Sequence, residues 1–248
     1  MFVDVHCHLE MLENLDSIIK ECVSKGTKKV VSASVDLNSM KKNIELSKKF
    51  NEIECCLGLH PSNILLMKEK EISDSIEFLQ ENLFFAKAIG EIGLDFKHAD
   101  SEEKKQKQIK FYKKQLEIVE QNNLPVVVHS RFAEKKSLEI LSSFNGKVLL
   151  HWFDGNKKAF EEGIKKNYFF SVGPAILFNK DYLQKTLLVP PENLMLETDS
   201  PVEFAGKKAV PWWVKKVAEK LSEEKKIPLK EIEEKTTKNA LNFFNLNS

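Results

Sequence analysis

The chain has 248 residues, 42% of them hydrophobic and 30% charged, with a formal net charge of +1. Such a composition excludes an intrinsically disordered chain, and the balanced charge excludes a basic duplex-coating protein, so any contact with nucleic acid must be local. No run approaches the roughly eighteen apolar residues of a membrane span, no CxxC pair occurs among Cys7, Cys22, Cys55 and Cys56, and the first residues read as a strand and not a signal peptide. The expectation is a cytoplasmic protein with reduced, buried thiols and no membrane association.

Taken in chain order, apolar and β-branched runs recur at FVDVH (2–6), KVVSAS (29–34), IECCLGLH (53–60), FAKAIGEIG (85–93), PVVVHS (125–130), KVLLHW (147–152), YFFSVG (168–173) and NLMLETDS (193–200). Between them lie apolar residues at helical spacing: Leu15, Ile18, Ile19, Cys22 and Val23 after the first, and Ile109, Tyr112, Leu116 and Val119 after the fourth. Gly26 and Gly146 stand where helix C-caps belong. The runs KKNIELSKK and SEEKKQKQ read as solvated helix faces. Trp212 and Trp213 precede Val214, Val217 and Leu221, so at least one of them reads as core, although a free indole there would stack a base. The tail KEIEEKTTKNALNFFN reads as a last helix packed outside the sheet.

Eight strands alternating with helices imply βα units and a parallel sheet covered on both faces. An open doubly wound sheet fits the alternation, but eight units in about 250 residues match the TIM (β/α)₈ barrel most closely. The expected fold is a single barrel domain over residues 1–248.

Polar residues gather at the C-terminal ends of these runs. His6 and His8 close the first, His60 the third, Glu91 the fourth, His129 and Arg131 the fifth, His151 the sixth and Asp199 the eighth. In a barrel those ends ring one mouth, where active sites of this fold lie. In the H-x-H pair, side chains two apart leave the same face of a strand, about 7 Å apart along the backbone, so two imidazoles can bend onto one cation while Cys7 points away. Burying four imidazoles and two carboxylates around one point without a cation leaves the carboxylate charge unbalanced. The set is too large for one tetrahedral zinc and suits two divalent ions bridged by a carboxylate. Zn²⁺, Mn²⁺, Fe²⁺ and Ni²⁺ all accept such ligands; Mg²⁺ accepts them less readily.

The motifs VDVHCH, GLHP (58–61), GEIGLD (90–95), LPVVVHSRFA (124–133), HWFDG (151–155) and LETDSP (196–201) together resemble TatD-type metal-dependent hydrolases of the amidohydrolase superfamily. This resemblance implies that His6, His8, Glu91 and Asp199 bind one metal ion and that Glu91 bridges to a second held by His129 and His151. Asp199 would also be the base, with Glu91 beside it in the catalytic centre. His60 would contact the scissile phosphate or hold a ligand in place, and Asp95 would stand behind the ligands. Members of the family are DNases described as exonucleases and repair nucleases, and some remove D-amino acids from tRNA. The chain departs from the family at Trp152 and Asp154, at Phe96 in GLDFKH, and at KKAVP (207–211), all positions where substrate would bind.

Arg131 is the only arginine in the chain, and its fork suits bidentate phosphate binding better than a lysine's point charge. A structural ion pair at the strand end is its other reading. His98 reads as an exposed loop residue. The expected function is a deoxyribonuclease acting on single-stranded or end-bound DNA or another phosphodiester, with no obligate protein partner. Cleavage of a carboxylic ester or amide, as by a D-aminoacyl-tRNA deacylase or lactonase, is the alternative, and a non-catalytic binding protein would be expected to have lost Glu91 or Asp199.

Overall fold

The computed structural model describes residues 1–247. Eight parallel strands follow one another round the sheet in sequence order: β1 (Phe2–Cys7), β2 (Thr27–Ala33), β3 (Ile53–Leu57), β4 (Ala86–Asp95), β5 (Val126–Arg131), β6 (Val148–His151), β7 (Phe169–Val172) and β8 (Leu194–Leu196). The helices between them are α1 (Leu15–Ser24), α2 (Leu37–Lys49), α3 (Pro61–Leu66), α4 (Glu69–Glu81), α5 (Glu102–Asn122), α6 (Glu134–Leu141), α7 (Lys157–Lys165) and α8 (Lys180–Thr186), with α9 (Val214–Lys225) and α10 (Leu229–Phe244) closing the described chain. The α/β barrel expected from the alternation is the fold observed.

Helix starts follow local chemistry. Asp36 and Ser39 form a reciprocal capping box on α2, while Ser101, Asn156 and Asn179 accept the first free backbone N–H groups of α5, α7 and α8. At the end of α1, Gly26 adopts φ +92° just past the cap, as expected; Gly146 does not cap α6, whose C-cap is Ser142, and lies in the loop before β6.

Inward-facing residues of one strand after another, Val3, Val5, Val31, Ala33, Cys56, Ala88, Val127, Leu149 and Met195, pack into a single cluster inside the barrel. Strict alternation would put Val5 and His6 on opposite faces. A register shift between Asp4 and Cys7 resolves this, because it lets Val5 complete the apolar layer and His6 start the polar one above it. A second shift, between Ile89 and Ile92, serves Glu91 in β4 in the same way. Gly93 in the same strand has φ +141°, and a Cβ there would lie 2.1 Å from the carbonyl oxygen of His129, so only glycine permits this approach of β4 to β5.

The last helix differs from its expected placement. Ala240, Phe243, Phe244 and the following Leu246 join the interior cluster, so α10 plugs the end of the barrel opposite the mouth and does not lie only on the outside. Burial of aromatic area explains the preference, since two phenylalanines remove more apolar surface there than on an outer helix face. Between β1 and β8 closure relies on the segment after β8: Asp199 N–H donates to the His6 carbonyl at 2.9 Å and His8 N–H donates to the Ser200 carbonyl at 2.7 Å.

Candidate active site

His6 ends the inward polar face of β1, and His8 stands one residue past the strand. Their Nε2 atoms lie 3.5 and 3.3 Å from Glu91 Oε1, and 3.6 and 3.4 Å from Asp199 Oδ1. The other oxygen of Glu91 faces a different group. Glu91 Oε2 lies 3.0 Å from His129 Nδ1, 3.8 Å from His151 Nε2 and 3.8 Å from His60 Nε2. One carboxylate is thus divided between two sets of imidazoles.

Hydrogen-bond partners sort the histidines by tautomer. His8 Nδ1 sits 3.1 Å from the Ala33 carbonyl, which can only accept, so Nδ1 carries the proton and Nε2 presents a lone pair to the site. His151 Nδ1 lies 2.7 Å from Glu197 Oε2, which makes Nε2 the atom that gives up its proton when the ring binds an ion. His60 is the reverse, because its Nδ1 accepts the Ser62 backbone N–H at 3.1 Å and the neutral ring therefore bears its proton on Nε2. His60 is thus a hydrogen-bond donor into the site and not a lone-pair ligand.

The donors fit divalent ions. His6 is fully buried, yet neither of its ring nitrogens has a hydrogen-bond partner. Orphaned buried nitrogens are costly unless something absent from the protein's own atoms completes them. Ligand atoms on a sphere of about 2.1 Å radius are separated by roughly 3–3.5 Å, and the His6, His8, Glu91 and Asp199 atoms stand 3.3–3.6 Å apart. Four groups of ligand-type atoms converge: His6–His8–Glu91, His6–His151–Asp199, Glu91–His129–His151 and His60–Asp95–His129. The first three share members in a way suited to two neighbouring ions, while the tautomer of His60 argues against the fourth.

Charges follow from these neighbours. Burial opposes ionisation of Asp199, but its bond to His8 and the imidazoles of His151 and His6 hold it down at about 2. Glu91 is likewise held well below the carboxylate range, against burial, by His60, His6 and His129. Burial works against a charged His151, yet Glu197 overrides it and raises the imidazole to about 9. Burial, with His129 and His8 nearby, lowers His60 to about 3 and keeps it neutral.

Three residues depart from the strand ends expected of them, two lying beyond and one within. β3 stops at Leu57 and β8 at Leu196, so His60 caps α3 and Asp199 sits on the loop after β8; Glu91, by contrast, lies inside β4, which runs on to Asp95. In each case the polar residue is placed by a loop bond or a register shift that strand periodicity does not encode. Asp199 takes φ +53°, a left-handed backbone that its N–H bond to His6 holds in place.

Asp95 stands behind His129, with Oδ2 3.6 Å from Nε2, and also binds His98 Nδ1 at 2.8 Å and Ser62 Oγ at 3.1 Å. His98 is exposed as expected but belongs to this network. Trp152 is half-buried against Phe204, and its backbone N–H donates to Glu197 Oε1 at 3.1 Å. Arg131 reaches the surface at the mouth and pairs with no carboxylate among the described residues, so the structural ion pair has no partner. Trp212 and Trp213 are both half-buried against the core, with lysines over their rings. Cys7 packs behind β1 toward α1, with Sγ 3.7 Å from the Val31 carbonyl.

Sequence reading missed two buried carboxylates. Glu197 orients His151, and Asp4 accepts the N–H groups of His6 and Thr198 together with the Thr198 hydroxyl. Two buried glutamines of α5 were also missed: Gln115 Oε1 accepts the Leu59 N–H at 2.8 Å and Gln108 Oε1 accepts the Asp95 N–H at 2.9 Å, fixing the backbones next to His60 and at Asp95. The signal available was a polar residue in an otherwise apolar period, which is expensive unless it is partnered.

The chain is similar to known proteins along nearly its whole length. The human deoxyribonuclease TATDN3 is 32% identical over 98% of this chain and 94% of its own length. The uncharacterised metal-dependent hydrolase YabD of Bacillus subtilis (strain 168) is 28% identical, with both chains covered in full. Among solved structures, the TatD homologue YjjV of Escherichia coli shares the fold with a TM-score of 0.90, at 23% identity over 99% of this chain and 98% of that one. The family model described as TatD related DNase matches residues 3–245, and the chain belongs to that family.

Proposed function

We propose that this protein is a two-metal hydrolase of phosphodiesters, a deoxyribonuclease acting on single-stranded or end-bound DNA. The single observation that carries the reading is the division of Glu91, with Oε1 facing His6 and His8 and Oε2 facing His129 and His151. His6, His8, Glu91 and Asp199 would hold one ion, and Glu91, His129 and His151 the other. Zn²⁺, Mn²⁺, Fe²⁺, Ni²⁺ and Mg²⁺ are the candidates. Divalent ions bound there would supply Lewis acidity that brings the pKa of a water from about 15.7 to near 7 and offsets charge on the phosphoryl oxygens.

The chain's own residues do the rest. Asp199, ionised at neutral pH, accepts the proton of the attacking water while its backbone stays pinned to His6. His60 donates its Nε2–H to a phosphoryl oxygen, a role for which a permanently neutral imidazole is suited. Arg131 takes the phosphate in its guanidinium fork at the rim. The near-complete burial of His6, Glu91 and His151 keeps bulk water from screening these charges. The names of the relatives favour phosphoester over carboxylic-ester or amide substrates.

The test is hydrolysis of single-stranded DNA, duplex DNA, a D-aminoacyl-tRNA and a lactone by purified protein with Mg²⁺, Mn²⁺, Zn²⁺ or Co²⁺, with Asp199→Asn as control. Metal-dependent cleavage of single-stranded DNA that Asp199→Asn abolishes supports the proposal. Cleavage of only the carboxylic esters, or DNA cleavage undiminished in Asp199→Asn, overturns it.

A further inference from the structure

A row of aromatic rings leads outward from His151 across the rim over β6, β7 and β8. The His151 and Trp152 ring centroids are 6.4 Å apart, Trp152 lies 5.5 Å from Phe204, and Phe204 lies parallel to Phe178 at 6.2 Å with 13° between planes. Phe204 is buried, whereas Phe178, the outermost ring, is 55% exposed. A single exposed phenylalanine is ordinary on a protein surface. This one ends a continuous row of rings that starts at a candidate metal ligand.

The row also has a charged neighbour. Glu203–Phe204 and Lys207–Lys208 form a short antiparallel hairpin, β9 and β10, turned at Ala205 and Gly206 with φ +50° and +75°. Two successive positive φ angles mark the type I′ turn that suits a two-residue hairpin. Lys207 is paired directly with Phe204 and Lys208 with Glu203, and both lysines are exposed. Directly opposed residues share one face, so Lys207 stands beside the ring on which Phe178 lies. Neither lysine makes an ion pair among the described residues.

We propose that Phe178, backed by Phe204 and Trp152, is a stacking platform for a nucleobase, with Lys207 and Lys208 taking the phosphate of the adjacent nucleotide. The inference rests on the phosphodiesterase reading and narrows its substrate to an unpaired polynucleotide end of at least two nucleotides. Stacking tolerates any base, because every base has a π-face, and a base inside a duplex has both faces already covered.

The experiment compares a single-stranded oligonucleotide with the same strand made abasic at its terminal nucleotides. KM is measured in steady state, and Kd by fluorescence anisotropy of the labelled strands on Asp199→Asn protein. We expect wild type to favour the base-bearing strand about tenfold. Phe178→Ala, a change at an exposed ring, should bring that ratio close to one, and Phe178→Tyr should restore it. Lys207→Ala with Lys208→Ala should weaken both strands and flatten the salt dependence. A base preference that survives Phe178→Ala, or no preference in wild type, overturns the platform. Should wild type cleave no phosphodiester with any metal, the hydrolytic reading fails, and the anisotropy ratio still decides the platform.

Discussion

The backbone N–H of Thr198 donates to Asp4 Oδ1 at 3.0 Å, joining residues 194 apart in sequence. The same carboxyl accepts the His6 N–H at 3.2 Å and the Thr198 hydroxyl, so one buried side chain ties the strand of His6 to the loop of Asp199. Asn at position 4 retains an oxygen for the two N–H groups and an amide that can donate to the hydroxyl. We expect Asp4→Asn to melt near wild type. Asp4→Ala should cost about 1–3 kcal/mol for each buried donor left unpaired. For a chain of this size that is roughly 2–4 °C in Tm per kcal/mol. Calorimetry checks the order, and equal melting of the two variants would refute it.

Glu197 sets the proton on His151. The imidazole, raised to about 9 by Glu197 against the opposing effect of burial, must lose its proton before Nε2 can bind an ion. Without metal the charged form prevails below that value, and carboxylate neighbours raise His8 and His129 as well, so the apparent metal affinity should rise by at least about tenfold per pH unit as pH increases toward 9. Glu197→Gln removes the charge that raises His151. Its pH dependence should level off at lower pH, and its affinity above the plateau should fall about 10–100-fold. Chelator competition at a series of pH values measures both.

His60 donates from Nε2 and is depressed to about 3, so it should remain neutral throughout the working range. Stability linked to this group is present above its unfolded value of about 6.5 and is lost as pH falls toward the folded value. His60→Ala should lower kcat by about 10²–10³ if its N–H meets charge developing in the transition state, with metal content unchanged. Loss of bound metal in this variant would instead make His60 a ligand.

Arg131 is the one rim cation with bidentate geometry. Arg131→Lys should raise KM for an oligonucleotide by about tenfold with metal content intact, since a point charge replaces a fork. Unchanged kinetics would remove Arg131 from the substrate site.

Much of this molecule is legible in its sequence, and the reasons are local. Apolar runs between helical periods give a parallel sheet covered on both faces, their number in about 250 residues gives a barrel, and His6, His8, Glu91, His129, His151 and Asp199 stand out because polar groups in such runs demand a partner. Positions that depend on register are not legible. Nothing in VDVHC reveals the shift after Asp4 that turns both Val5 and His6 inward, and the polar ends GLH and ETDS keep an extended appearance after the ladder has stopped. Glu197 and Asp4 escaped for a related reason. Each serves a partner remote in sequence, His151 for one and Thr198 for the other, and pairing across the fold leaves no periodic trace. The two-residue strands of the Ala205–Gly206 hairpin are too short to show alternation at all.

Closure of the barrel by its first strand and the loop after its last has a consequence for synthesis of the chain. Asp199 reaches His6 only when residues close to both ends of the chain have met, and α10 must then seat Phe243 and Phe244 beneath them. A ribosome-bound chain that has not yet exposed Asp199 carries five of the six candidate ligands and lacks the carboxylate that faces His6 and His8. The candidate site is therefore completed only after all eight strands of the barrel have been made.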